Sequence, residues 1–119
     1  MHQGGWIEDQ ADLQNAVGNA VPLEGAALSD YLRWNALALM VEVGEALAHA
    51  SWKPWTTDDP WIERAKFLEE LADVGLFLGN MLAAVGCSTE EFEMLVGEKQ
   101  QVVRTRLTSQ RYKQRRVSQ

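Results

Sequence analysis

Two pairs of acidic residues lie in the middle of the most apolar segments of the chain, and they constrain its fold more than any other feature. Glu42 and Glu45 form one pair, and Glu70 and Asp73 form the other. Residues three apart share a face of an α-helix, so each pair points its carboxylates in one direction. Burying several unpaired carboxylates is costly. The chain must therefore compensate these charges or leave both faces in water.

Basic partners for these carboxylates are scarce. Between residues 31 and 86 the chain has four basic residues, Arg33, Lys53, Arg64 and Lys66. Solvated helix faces with salt bridges remain one interpretation. The other, which we favour, is a hard divalent cation bound between two helices, because Mg²⁺ takes oxygen ligands and keeps waters for phosphates. A di-iron site is disfavoured because it needs Glu-x-x-His pairs. His49 follows Glu45 by four residues, and we expect it on the helix surface.

The apolar residues recur at helical spacing throughout the chain. The pattern predicts a helix from Asp30 to about Ser51, capped by Ser29. A second helix is predicted to start at Asp59-Pro60 and to stop at Gly86, because Asp caps and Pro fits the first turn. Ser88 to Glu91 reads as a capping box that opens the last helix.

The remaining segments are less regular. In residues 1–28, Leu13 and Val17 suggest a short amphipathic helix, which Gly18 weakens and Pro22 ends. We expect Trp34 to be a packing residue. Gly75 and Gly79, four apart, are either points of close helix approach or weak points that the helix tolerates.

Together these patterns predict an all-α fold, a small antiparallel bundle of four helices that forms oligomers. We expect one domain over residues 1–119, with an uncertain N-terminal segment (1–28) and a basic tail (112–119). The single cysteine excludes an internal disulfide and a Cys-based zinc site. No apolar run long enough for a membrane span appears. We therefore expect a cytoplasmic protein.

The net charge of −6 conceals a division along the chain. Residues 1–98 hold 17 acidic and 4 basic residues, whereas residues 99–119 hold 7 basic residues and no acidic one. One end is thus suited to cations and the other to phosphates. Binding to nucleic acid is not expected, because the tail has no recognised motif and the body is strongly acidic.

The ordered set of these residues resembles the all-α nucleoside triphosphate pyrophosphohydrolases, which include MazG-like enzymes, dCTP pyrophosphatases and dimeric dUTPases. The resemblance covers about residues 29–112. It rests on Val41-Glu-Val-Gly-Glu-Ala-Leu-Ala, then Trp52-Lys-Pro-Trp, Trp61-Ile-Glu-Arg and Phe67-Leu-Glu-Glu-Leu-Ala-Asp-Val. The Trp-Lys-x-Trp form is similar to the dimeric dUTPases.

The resemblance implies hydrolysis of a nucleoside triphosphate to the monophosphate and pyrophosphate, with Mg²⁺ or Mn²⁺ as cofactor. Glu42, Glu45, Glu70 and Asp73 match the family's metal ligands, and Glu42 or Glu45 is the candidate base for water. It also implies a homodimer or homotetramer and a house-cleaning or pool-balancing role. The residues that correspond to phosphate contacts are Lys53, Lys99, Arg106 and Arg111, although the Asn expected in the last helix is replaced by Val or Gln.

Base recognition is predicted less sharply. Trp52 and Trp55 follow the first carboxylate helix, where related enzymes stack a base on aromatic rings. Asn80, seven residues after Asp73, is either a base or sugar contact or a helix–helix hydrogen bond. We expect a pyrimidine deoxynucleotide, dCTP or dUTP, as substrate. The alternative is a non-catalytic helical module that binds other proteins.

Overall fold

The fold is four helices in a computed structural model that describes residues 4–117. They are α1 (Trp6–Ala16), α2 (Gly25–Leu47), α3 (Arg64–Ala84) and α4 (Thr89–Val117). Within the described residues, extended pairing is limited to an isolated antiparallel bridge between Ala50 and Ile62. The prediction of an all-α four-helix fold is confirmed.

The α2–α3 pair is the centre of the fold, and α1 packs on α3. The pair is antiparallel: Asn35 meets Asn80 near one end, and Glu42 meets Glu70 towards the other. Ala46, Ala83 and Ala84 are among the few fully buried apolar side chains. Small residues at these positions allow the helix backbones to approach closely.

Two predicted helix starts were wrong. The first central helix begins at Gly25, so Ser29 lies inside it instead of capping it, because the intervening Ala26, Ala27 and Leu28 are good helix formers. The next helix begins at Arg64 and not at Asp59. Residues 61–63 are held extended by the loop base, where Ser51 N donates to Trp61 O at 2.9 Å and Glu63 N donates to His49 O at 2.8 Å.

Helix α1 forms where a short helix was predicted, but a different face is buried. Ile7 and Gln10 are buried, whereas Leu13 and Val17 are exposed. The helix ends before Gly18, whose φ of +99° is accessible to glycine at little cost. Trp6 at the start of α1 contacts Phe92 of α4 edge to face, with ring centroids 6.3 Å apart.

The N-terminal ends of α1 and α4 cap each other. Thr89 N donates to the Glu8 carboxylate at 2.9 Å and its hydroxyl donates to the same carboxylate at 2.5 Å. In return, Ile7 N donates to the Thr89 hydroxyl oxygen at 3.1 Å. These bonds lower the pKa of Glu8. Ser88 also caps α4 as predicted, because its hydroxyl oxygen accepts a hydrogen bond from Glu91 N at 3.1 Å.

Beyond this junction α4 projects away from the other helices. Its Cα atoms approach those of α1 within 8 Å but not those of α2 or α3, in the part of the chain described. The radius of gyration is 19.3 Å, whereas a compact chain of this length has about 13.5 Å. Trp34 is 74% exposed, so its prediction as a packing residue was wrong for the single chain.

No single helix among residues 4–117 is long and apolar enough to cross a membrane; α3 and α4 meet those criteria only when taken together, as a pair bent by 108°.

Candidate metal centre

Three of the four predicted metal-binding carboxylates lie together between α2 and α3. Oxygen atoms of Glu42, Glu45 and Glu70 all lie within 4.8 Å of one another. The i, i+3 spacing puts the first two on one face of α2, and α3 supplies the third. Glu42 and Glu70 are half-buried, and Glu45 is exposed. The cluster therefore has one side in the helix interface and one side open to solvent.

Glu42 is the most perturbed member of this cluster. In the ionised form its Oε2 atom is buried and has no hydrogen-bond partner within the described residues. Its pKa is raised to about 7, mainly because its protonated form hydrogen-bonds Glu70. Burial contributes next, followed by the like charges of Glu45, Asp73 and Glu70. The cluster thus binds a proton far more readily than an ordinary glutamate does.

Asp73 stands at the edge of the cluster. It is half-buried and its charge contributes to the raised pKa of Glu42, but it is not one of the three residues whose oxygens come within 4.8 Å. Its neighbour Glu69 is exposed. The role of Asp73 as a fourth metal ligand therefore stays a prediction.

His49 is the site residue that sequence reasoning missed. It was expected on the helix surface, but its side chain is only 25% exposed and lies between two carboxylates. Its Nδ1 is 3.6 Å from Glu63 Oε1, and its Nε2 is 3.8 Å from Glu70 Oε1. The signal was its position four residues after Glu45, just beyond the end of α2 at Leu47, where the chain turns towards the start of α3.

A loop rich in tryptophan follows α2. The rings of Trp52 and Trp55 pack edge to face with centroids 5.6 Å apart, and Lys53 Nζ lies 5.8 Å from the centroid of the Trp52 ring. A cavity of about 540 Å³ is bordered by Trp52, Lys53 and Trp61 together with Gly44 and Leu47 of α2. Those two helix positions lie nearly opposite Glu42 and Glu45 on α2. The cavity and the carboxylates are therefore on different sides of the helix.

Asn80 is buried in a network of amide side chains that joins three helices. It accepts a hydrogen bond from Gln10 Nε2 at 2.6 Å and donates one to Asn35 Oδ1 at 2.8 Å. Asn35 in turn donates to Tyr31 O at 2.8 Å. Of the two roles predicted for Asn80, the helix–helix hydrogen bond is present. A base or sugar contact would require this network to rearrange.

The predicted phosphate contacts on α4 are not brought to the carboxylates within one chain. Lys99, Arg106 and Arg111 are exposed, and α4 approaches neither α2 nor α3 in the described residues. The sequence could not show this, because the direction of α4 depends on the turn at residues 85–88.

The carboxylate cluster fits a hard divalent cation. Its donors are carboxylate oxygens, the type that Mg²⁺ and Mn²⁺ prefer, and one of them is a buried oxygen without a partner. A cation would replace the proton that the cluster otherwise holds. It would also remove the repulsion among Glu42, Glu45 and Glu70.

Comparison with family models identifies a family for the chain. A family model described as dUTPase matches residues 6–117, nearly the full length. No curated protein and no solved structure matches significantly.

Proposed function

The chain belongs to the dUTPase family, and from this membership we propose that it is a metal-dependent nucleoside triphosphate pyrophosphohydrolase. The reaction would convert a nucleoside triphosphate and water to the monophosphate and pyrophosphate. The observation that carries the proposal is the cluster of Glu42, Glu45 and Glu70, with its buried unpartnered oxygen.

The carboxylates have two roles in this proposal. Glu42, Glu45, Glu70 and Asp73 would hold Mg²⁺ or Mn²⁺. A bound cation neutralises charge on the triphosphate and so stabilises the transition state. Glu42 or Glu45 would accept the proton of the attacking water.

The substrate is proposed to be a pyrimidine deoxynucleotide, dUTP or dCTP, and the role to be nucleotide-pool maintenance. The family supports this class. Trp52 and Trp55 would stack on the base: both rings are about half or more exposed. Lys53, on the same loop, would contact a phosphate. Because this loop borders a cavity on the other side of α2 from the carboxylates, these contacts require the loop to move or a second copy of the chain to supply them. Lys99, Arg106 and Arg111 remain proposed phosphate contacts, and they require a rearrangement of α4 or a second copy of the chain.

The protein is also proposed to act as a homo-oligomer. It exposes 9216 Å², whereas a folded monomer of this mass exposes about 6,500 Å². The difference exceeds what a specific protein interface needs, about 1,200–2,000 Å² over both partners.

The test is product analysis with a panel of ribo- and deoxynucleoside triphosphates in Mg²⁺ or Mn²⁺. We expect monophosphate and pyrophosphate in equal amounts, with dUTP or dCTP turned over fastest. Glu42→Gln should abolish turnover, whereas Glu98→Gln on the exposed side of α4 should not. Orthophosphate as product would contradict the proposed bond cleavage. No turnover of any nucleotide at high protein concentration would favour the non-catalytic interaction module.

A further inference from the structure

The projecting helix α4 carries an apolar stripe that, apart from the contact of Phe92 with Trp6, no other helix covers in the described part of the chain. Phe92, Leu95, Val96, Val103 and Leu107 recur at helical spacing on one side. Leu95, Val103 and Leu107 are about half exposed. A shallow depression of about 540 Å³ follows the stripe and is lined entirely by α4 residues. In proteins most helical stability comes from packing of the apolar face, so this stripe needs a partner surface.

A second uncovered apolar surface lies on α2, on the side that faces away from α3. It is formed by Trp34, Leu37, Met40 and Val41, whose exposed fractions run from 53% to 74%. Trp34, Leu37 and Val41 follow the i, i+3, i+7 spacing of a single helix side. We call this surface the outer face of α2. Contiguous exposed apolar area of this kind marks an interaction site.

The charges indicate whether the stripe of α4 would meet the α4 stripe of a second copy or the outer face of its α2. Lys99 and Arg106 lie in line with the apolar stripe, since they are seven and fourteen residues after Phe92. Parallel pairing of two α4 stripes would therefore bring like charges together. Residues 1–88 hold 13 acidic and 4 basic residues, whereas residues 99–111 of α4 hold 4 basic residues and no acidic one. The α1–α3 body of another copy therefore attracts this part of α4.

We propose that α4 of each chain docks, through this stripe, on the outer face of α2 in a second copy, in a reciprocal exchange. The two contacts are related by twofold symmetry, so the assembly closes as a dimer. The surface exposed beyond that of a compact monomer, about 2,700 Å² per chain, is large enough to supply both contacts. The inference names the surface for the proposed oligomer and does not depend on hydrolase activity.

The first experiment places a charge on each surface and measures mass by light scattering after size exclusion. Val103→Glu, in the stripe, and Leu37→Glu, on the outer face of α2, should each convert the dimer to a monomer. Gln101→Glu is the matched control, because it adds the same charge on the opposite side of α4 and should leave the dimer intact. A monomeric wild-type chain, or a dimer that survives Val103→Glu, would overturn the proposal.

Mixing the two charged variants separates reciprocal docking from pairing of two α4 helices. In a mixed dimer, the unaltered α4 of the Leu37→Glu chain meets the unaltered α2 of the Val103→Glu chain, so one of the two contacts is intact. We expect the mixture to recover dimer that neither variant forms alone. If α4 pairs with α4, Leu37→Glu alone remains dimeric. That result, or a mixture that stays monomeric, would reject the reciprocal arrangement.

Cross-linking keeps the test decisive if a charged variant unfolds. In a Cys87→Ser background, chains carrying Leu37→Cys are mixed with chains carrying Val103→Cys and treated with a short bismaleimide. A covalent dimer joining position 37 to position 103 is expected. Adducts confined to 103–103 pairs, or no adduct, would contradict the proposal. Hydrolysis by the wild type is assayed separately, so an inactive chain that still dimerises leaves this inference standing.

Discussion

The interface between α2 and α3 contains two polar clusters that differ in one respect. At one end, Asn35, Asn80 and Gln10 are buried amides that hydrogen-bond one another. At the other end, Glu42, Glu45 and Glu70 meet with a buried oxygen that has no partner in the described residues. A satisfied network stabilises a fold, whereas an unsatisfied charged cluster costs stability. The amide end is therefore structural, and the carboxylate end is suited to bind a ligand.

The largest expected effect is on activity, at the carboxylate end. Glu70→Gln removes one proposed metal ligand and should lower kcat/KM by at least about 100-fold, the usual loss when one charge-stabilising group is removed. The unfolding free energy without metal should stay equal or rise, because repulsion with Glu42 is relieved. Steady-state kinetics and urea unfolding check both parts. A stability loss that parallels the activity loss would indicate a structural role instead.

The amide end should show the opposite behaviour. Asn80→Ala leaves Gln10 Nε2 and Asn35 Oδ1 without their present partner, and each unsatisfied buried group costs about 1–3 kcal/mol. We expect a loss of about 2–3 kcal/mol in the unfolding free energy. Asn19→Ala is the control, because its hydrogen bond to Gln14 is exposed. Equal losses of unfolding free energy for Asn80→Ala and Asn19→Ala in urea titrations would contradict the structural role of the buried amide network.

The two glycines of α3 extend the comparison to packing. A Cβ at Gly79 would lie 2.9 Å from the Trp6 ring, whereas one at Gly75 has no atom within 4 Å. Gly79→Ala should cost about 1–3 kcal/mol because the interface is overpacked. Gly75→Ala should add about 0.5–1 kcal/mol through helix propensity. Thermal or urea unfolding of both variants measures the difference, and a similar response at both sites would contradict the close approach of α1 at Gly79.

The carboxylate end should also make stability depend on pH. The pKa of Glu42 is raised from 4.5 to about 7, so between these values the folded state binds more protons than the unfolded state. Metal-free stability should therefore fall as pH rises from 4.5 to 7. Mg²⁺ should reverse the loss at neutral pH, and Glu42→Gln should remove both effects. Melting temperatures across this range, with and without Mg²⁺, provide the check.

The opposite sign applies at the junction of α1 and α4. The pKa of Glu8 is lowered from 4.5 by its hydrogen bonds to Thr89. Its contribution to stability is therefore complete above pH 4.5 and is lost as pH falls through the folded-state pKa. When the melting series is extended below pH 4.5, the fall in melting temperature should be smaller in Glu8→Gln, which removes this titration.

The local features of the site could be predicted from the chain alone. The i, i+3 spacing of Glu42 and Glu45, and of Glu70 and Asp73, is a property of one helix and needs no partner. The stop at Gly86, with φ of +75°, and the cap at Ser88 are local for the same reason. The helix start at Gly25 was missed because the helix propensity of residues 26–28 outweighed a cap at Ser29. The start at Arg64 was missed because hydrogen bonds to residues 49 and 51 keep residues 61–63 extended, so the helix does not begin at Asp59.

The sequence by itself determined the helices and the carboxylate pairs, since helical periodicity and side-chain chemistry are encoded within a few residues. Only the tertiary structure decided which polar groups meet across α2 and α3, that Asn80 is bonded to Gln10 and Asn35, and that His49 lies beside Glu70. It also showed that Trp34 and the apolar stripe of α4 are exposed to solvent in a single chain. These facts depend on the relative positions of helices, which are set by packing between residues far apart in sequence.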